Sequence, residues 1–250
     1  MNSFFRVCGN MLFQVALLWV LYVALEPYGR RFWPDGLLGW TRLFAGHVRD
    51  PRIGREILIG VALGAALIVN DGFRGAMPYQ IGRAPALPFL DGDVRVLSGA
   101  GSLILAWAGQ FYSSVQTALL ITMTFVGLRL IVRRTWIAVA VGMTVVTAAV
   151  TSNIPFGQEL SLYVVGQLTA IGIITLAIFR FGLLVTAVML IVDNIVTVAP
   201  ILPHAASWAA LPGNLSIALV LAWAAFGFYA ARAGQPLLGA LDAPDVARRL

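Results

Sequence analysis

The chain has 250 residues, 60% hydrophobic and only 11% charged, with a formal net charge of +6, whereas an average soluble domain carries roughly 25% charged residues. Together with a mean hydropathy of +0.87, this excludes an ordinary soluble protein and points to helices that cross a bilayer. All 17 basic residues are Arg and the only cysteine is Cys8, with His47 and His204 far apart, so lysine-dependent chemistry, an intrachain disulfide and a Cys/His metal cluster are excluded.

The first apolar run, residues 11–27, is expected to end at Glu26-Pro27, because proline interrupts helical hydrogen bonding. Trp19, Tyr22 and Tyr28 at its borders, followed by Arg30 and Arg31 and by no small-x-small cleavage site, mark a retained span rather than a signal peptide. Residues 28–56 then form a polar juxtamembrane segment holding Arg30, Arg31, Arg42, Arg49, Arg52 and Arg55. The positive-inside rule places this segment in the cytoplasm and the N-terminus outside. Within it Leu37, Trp40 and Phe44 share a helical face with Arg42 turned away, the pattern of an amphipathic helix lying on the inner leaflet. Its arginines are candidate contacts for anionic lipid or for a partner protein.

The second span, residues 57–74, is apolar only to Val69 and runs on through Asn70 and Asp71. Gly60 and Gly64 in it form a GxxxG match, read as intramolecular packing rather than a dimer seam. A Gly/Pro-rich loop over residues 72–97 leads to a run of 35 residues, 98–132, too long for one crossing of about 30 Å and tight for two. A single crossing over 110–132, preceded by an interfacial or re-entrant piece around 98–109, places 13 of the 17 arginines in the cytoplasm and is preferred.

Four further spans are expected at residues 135–152, 160–179, 182–202 and 214–231. Arg180 marks a tight cytoplasmic hairpin between the fifth and sixth, and the Arg-free loops 153–159 and 203–213 lie outside. The tail, residues 234–250, is too short to fold as a domain. The expected fold is a single membrane domain, an all-α polytopic transmembrane helical bundle of about seven spans, N-out and C-in, in a bacterial cytoplasmic membrane.

With these boundaries, the stretch Trp19-Val-Leu-Tyr-Val-Ala-Leu-Glu26-Pro27-Tyr28-Gly-Arg30-Arg31-Phe-Trp33-Pro34 stands out, followed by Trp40-Thr-Arg42-Leu, Ala45-Gly46, Arg49-Asp50-Pro51 and Gly54-Arg55-Glu56-Ile-Leu-Ile-Gly60. It resembles the membrane-spanning C-terminal region of a group of bacterial serine/threonine protein kinases. Weaker echoes continue in Arg180-Phe-Gly-Leu-Leu184, Pro200, Ser207-Trp208, Phe226-Gly-Phe-Tyr229 and Gly234-Gln-Pro-Leu237. In those proteins a cytosolic kinase domain and further spans precede the matched block, and these 250 residues contain neither. His47-Val48-Arg49-Asp50 is a superficial echo of a kinase catalytic loop, with no strand lysine to serve it. Kinase activity, ATP binding with magnesium and a cofactor are therefore not expected.

Asp193 lies 11 residues into the sixth span, about 16 Å from its cytoplasmic end at 1.5 Å per residue, where an ionised carboxylate is costly. Thr186, Asp193 and Thr197 share one helical face, with comparable stripes at Thr144, Thr147 and Thr151 and at Ser113, Thr117 and Thr124. Either Asp193 is a hydrogen-bonded carboxyl joining helices or it belongs to a solute or proton path; no midplane arginine is evident beside it. The leading functional reading is a non-enzymatic membrane module, a scaffold or sensory partner contacting inner-leaflet lipids and a membrane or cytosolic signalling protein. A small-solute or proton-coupled transporter using Asp193 is the alternative, and an intramembrane enzyme ranks third because acids and bases are so few. Nucleic acid is not an expected partner, since the positive charge follows the topology rule.

The arginine asymmetry makes a direct prediction. Cysteines introduced at Gly157 and Pro212 should react with an impermeant thiol reagent from outside the cell, and one at Gly46 should not; labelling of Gly46 from outside would overturn the seven-span scheme.

Overall fold

A computed structural model describes residues 2–32, 34–80, 82, 94–132, 160–199 and 208–232. Every regular element among them is helical: α1 Asn2–Phe32, α2 Pro34–Phe44, α3 Pro51–Gln80, α4 Ala100–Val132, α5 Leu160–Leu176, α6 Leu183–Thr197 and α7 Leu211–Ala231. Short 3₁₀ turns precede α4 and α7, and a π turn, Ala177–Phe181, follows α5. Three stretches are long and apolar enough to cross a membrane, Pro51–Met77, Tyr163–Phe181 and Leu211–Ala231, and Leu12–Ala24 and Leu183–Thr197 are shorter apolar helices. The expected span 135–152, the stripe at Thr144, Thr147 and Thr151, and the tail 234–250 lie outside the described residues.

The bundle is organised around α6. Twelve of its fifteen residues are buried, because a helix that is Leu, Val, Ile and Met on nearly every side has no polar face to give to water. It leans on α3, α4 and α2, while α3 also carries α7 and α5. Outward-facing positions are large and apolar as well, among them Leu12, Phe13 and Trp19 on α1, Ile104 and Leu105 on α4, Val165 on α5 and Leu221 and Phe228 on α7. Apolar surface on that scale on several helices suits a lipid environment.

The α3–α6 contact is a glycine seam. A Cβ on Gly60 would stand 2.7 Å from Cβ of Val188, and one on Gly64 would stand 2.8 Å from Cβ of Val192 and 2.9 Å from the Met189 carbonyl oxygen. Without those methyl groups the two backbones approach closely and the valines fill the notches. Gly54, one turn and a half earlier on another side of α3, lets the end of α7 in against the backbone of Gly227 and Ala231. The Gly60 and Gly64 pair is therefore an internal seam, as read from the sequence.

Several boundaries differ from the sequence reading. α1 does not stop at Glu26-Pro27 but continues to Phe32 with Pro27 inside it; a proline removes one i→i−4 bond, and a long helix tolerates that loss where its neighbours hold. α3 runs from Pro51 to Gln80, beyond the expected span on both sides. α4 is continuous from Ala100, and the Trp107 indole N–H donates to Ser216 Oγ on α7 at 3.0 Å. Residues 100–109 thus belong to the same continuous helix as 110–132 and are not a separate piece.

Arg180 does mark a tight joint, but α5 and α6 are not a packed hairpin. They meet at Gly182, whose φ of 104° only glycine adopts freely, and each then leans on α3. α3 and α6 run parallel, Gly60 beside Val188 and Gly64 beside Val192. α7 runs antiparallel to α3, since Gly54 near the start of α3 meets Ala231 at the end of α7. Pro212 is buried at the start of α7, so the exposed Leu211 is the better position for an outer thiol probe.

Replacing Gly64 by Ala should lower the melting temperature of the detergent-solubilised chain, by overpacking worth about 1–3 kcal/mol. Gly72→Ala, where an added Cβ meets nothing within 4 Å, should leave it unchanged. Equal melting of the two variants would refute the seam.

Candidate functional site

Two places in the bundle concentrate chemistry. The first is a polar belt where the C-terminal halves of α3 and α6 face the start of α5. Because α3 stays helical past Val69, Asn70, Asp71 and Arg74 project toward its neighbours instead of lying in a loop. Arg74 pairs with Asp71 Oδ1 at 3.0 Å, donates to Gln167 Oε1 at 3.2 Å, and stacks its guanidinium 5.3 Å from the Tyr163 ring centre. Its aliphatic stem occupies the space a side chain on Gly166 would need, and the Gly166 carbonyl accepts from Asn70 Nδ2 at 3.1 Å. One arginine thus ties α3 to α5 at three residues, Tyr163, Gly166 and Gln167.

On α6, Asn194 donates from Nδ2 to Ser114 Oγ at 2.9 Å, and Ser114 in turn donates to the Gln110 carbonyl at 2.6 Å. Asp193 is the exception in the belt. Its Oδ1 is buried with no hydrogen-bond partner, and the charged groups acting on it are Asp71 and Arg74. Asp71 and Arg74 act on it in opposite senses, the carboxylate disfavouring a second negative charge there and the guanidinium favouring it.

The other expected members of the Asp193 face do not join it. Thr186 is fully buried and donates to the Gly182 carbonyl at 3.0 Å, while Thr197 is exposed and donates to the Asp193 carbonyl at 2.8 Å. Both hydroxyls back-bond to the preceding turn, as Ser and Thr in helices commonly do. The stripe Ser113, Thr117 and Thr124 is exposed, and the buried polar positions of α4 are Ser114 and Thr122 instead. Arg74 was hidden in the sequence by its place in a Gly/Pro-rich region; the signal that could have found it is the i, i+3 pair with Asp71 on a continued helix.

The second place is a chamber of about 790 Å³ bounded by α1, α2, α3, α4, α6 and α7, with Trp19, Tyr22, Trp40, Phe111, Tyr112 and Trp223 in its walls. α2 forms one wall. Its Leu37 and Trp40 are buried against the core while Phe44 is 73% exposed, so the apolar face of this amphipathic helix seats on the protein rather than wholly on the leaflet. Its N-terminal end is held where Gly36 meets Gly182: a Cβ at Gly182 would stand 2.5 Å from the Gly36 carbonyl oxygen. The Trp40 indole N–H is buried and has no acceptor.

Two of the juxtamembrane arginines are held in ion pairs. Arg42 bonds Asp50 Oδ2 at 2.6 Å, Arg52 bonds Glu56 Oε1 at 2.9 Å, and Arg49 and Arg55 are exposed. The side chains of Arg30 and Arg31 lie outside the described residues, on the last turn of α1. Asp50 caps α3: its Oδ1 accepts from the Arg52 backbone N–H at 2.9 Å, with Pro51 in the first helical position. Among the described residues no group of three or more His, Cys, Asp or Glu is placed to hold a metal ion. No protein-family model, curated protein or solved structure matches the chain.

The cap and the ion pair give a pH prediction. The Arg52 backbone N–H first, and the Arg42 guanidinium second, hold the Asp50 carboxyl below its ordinary value. A depressed folded-state value means the stabilisation is present at neutral pH and is lost as pH falls through it, below the usual Asp value of about 3.9. Asp50→Ala should therefore melt earlier than the parent at pH 7, with the gap closing in strong acid. A gap that persists unchanged at pH 2.5 would show that the carboxylate is not the cause.

Proposed function

We propose that the chain is a polytopic module of the bacterial cytoplasmic membrane, N-terminus outside and C-terminus inside, that acts as a scaffold or sensory partner without catalysis of its own. Its analogue in kind is the membrane region that follows the catalytic domain in a group of bacterial serine/threonine kinases. The observation that carries the reading is the backbone contact of Gly36 with Gly182, which fastens the juxtamembrane helix α2 to the start of the buried helix α6. A shift of α6 inside the bundle therefore moves α2, the element next to the cytoplasmic arginines. Asp50 supports the same reading. The carboxylate that echoes a catalytic loop is occupied as a helix cap and as the partner of Arg42.

A second reading, a proton- or cation-coupled transporter, draws on Asp193 Oδ1, buried without a partner beside Asp71 and Arg74. The two readings separate on one set of variants. In a Cys8→Ser background, a cysteine at Leu37 should label slowly and, with Gly182→Val added, at least tenfold faster, and proteins that copurify with the parent should be lost together with α2 docking. Asp193→Asn should keep both properties, since an amide preserves the shape and most of the bonding of the carboxyl. Proton flux in proteoliposomes that is present in the parent and vanishes in a stable Asp193→Asn would transfer the assignment to the transporter.

A further inference from the structure

The corner that joins α2 to α3 is a fixed structure with both charge and apolar side chains on its outside. Gly46, at φ 82°, ends α2: its N–H donates to the Leu43 carbonyl at 3.1 Å and the His47 N–H to the Arg42 carbonyl at 3.1 Å, the paired bonds of a glycine C-cap. The Asp50 N–H then returns to the His47 carbonyl at 3.0 Å, and Asp50 caps α3. Both acids in residues 46–56 are spent on neighbours. Asp50 holds Arg42 and Glu56 holds Arg52, and the Glu56 carboxylate lies under α2, in the space a side chain at Gly39 would need. Arg49 and Arg55 are left exposed, with no ion pair among the described residues.

The apolar residues of this surface identify what lies against it. Arg55 shares an outward face of α3 with Ala62, Val69 and Phe73, all of them exposed. An arginine in the first turn of a helix whose same face is otherwise apolar has no protein counter-charge on that side, and its long stem lets the guanidinium reach back to the polar border of the bilayer. Phe44, largely exposed, stands beside Tyr22 of α1 with ring centres 6.4 Å apart, against the apolar outer surface of that helix. Val48, also exposed, separates it along the chain from Arg49. Apolar side chains interleaved with unpaired guanidinium groups at the end of an apolar helix suit the boundary between acyl chains and headgroups, where phosphate supplies the counter-charge. An acidic protein surface would satisfy the arginines and offer Phe44 and Val48 no apolar cover.

We propose that Arg49 and Arg55 bind the phosphate groups of anionic phospholipids in the cytoplasmic leaflet, with Phe44 and Val48 set among the acyl chains beside them. The proposal rests on the membrane-module reading and names the partner of the α2–α3 corner. Lipid headgroups then hold the outer side of α2, as the Gly36–Gly182 contact holds its inner end.

The test uses the full chain in dodecylmaltoside micelles, titrated with an equimolar mixture of dioleoylphosphatidylglycerol and dioleoylphosphatidylcholine and read by native mass spectrometry. The parent should bind phosphatidylglycerol about fivefold more tightly than phosphatidylcholine, the equivalent of about 1 kcal/mol for an arginine at a charged membrane surface. Arg49→Gln combined with Arg55→Gln should bring that ratio close to one. Arg49→Lys combined with Arg55→Lys keeps both charges and should keep most of the preference; melting curves check that both double variants remain folded. Arg95, exposed before α4, lies at the opposite end of the bundle, because Trp107 on α4 meets Ser216 near the start of α7, so Arg95→Gln should leave the ratio unchanged. A ratio near one in the parent, or an equal loss in Arg95→Gln, overturns the proposal. So does displacement of the lipid by an equal concentration of glycerophosphoglycerol, its headgroup without acyl chains, because the site would then take soluble anions. A ratio unchanged in the glutamine variant also overturns it, and loss of a copurifying acidic protein from that variant would give the surface to a protein. A chain that is folded in micelles and fails these tests defeats the lipid assignment alone; one that stays folded and monodisperse in buffer without detergent defeats the membrane reading beneath it.

Discussion

The close approach of α3 to α6 is the constraint on which the rest of the architecture depends. In a lipid environment apolar side chains gain little by leaving the acyl chains, so helices associate through tight packing and a few polar contacts. Gly60 and Gly64 supply the packing by giving up their side chains where Val188 and Val192 sit. α3 then becomes the common wall for α5, α6 and α7. The seam also fixes the height of α3 against α6, and with it the level at which Asp71 and Arg74 face Asp193. A slip of one turn, about 5.4 Å, would carry Arg74 away from Gln167 and Asn70 away from the Gly166 carbonyl.

What could be read from the sequence follows the same division between packing and polar placement. Helices written as predominantly apolar runs, such as Leu183–Thr197 and Leu211–Ala231, were legible because no other backbone arrangement satisfies so many peptide groups beside apolar side chains. The Gly60 and Gly64 match could be assigned to internal packing, and Arg180 to a joint. Boundaries marked by Pro27 and by the glycines after Asp71 were misread. Each residue weakens a helix locally by up to a few kcal/mol, which neighbouring helices can outweigh, and no local rule carries that tertiary term.

The candidate site was legible only as single residues. Asp193 declared itself as a carboxyl in an apolar run, but its neighbours could not be found by periodicity along α6. Thr186 and Thr197 share its face by spacing and spend their hydroxyls on their own backbone. Asp71 and Arg74 come from a helix more than a hundred residues away, and their approach depends on α3 continuing to Gln80. The chamber had no sequence signature at all, because its aromatic walls are drawn from four helices and the pattern exists only when they are assembled.

The two chemical places bear unequally on α2. Asp193 is eleven residues from Gly182 along α6, about 16 Å at helical rise, and the side chains between are packed on all sides. The charged groups that act on Asp193 are Asp71 and Arg74, and Arg74 contacts α5 at Gln167 and Tyr163, so this polar belt lies away from α2. The chamber instead has α2 as a wall. Trp40 belongs both to that wall and to the face by which α2 is seated, within one turn of Leu37 and of the Gly36–Gly182 contact. The seating of α2 and the shape of the chamber wall thus depend on the same side chain. Trp40 therefore joins the packing of the chamber wall to the seating of α2, while Arg74 ties α3 to α5 at the opposite end of the bundle.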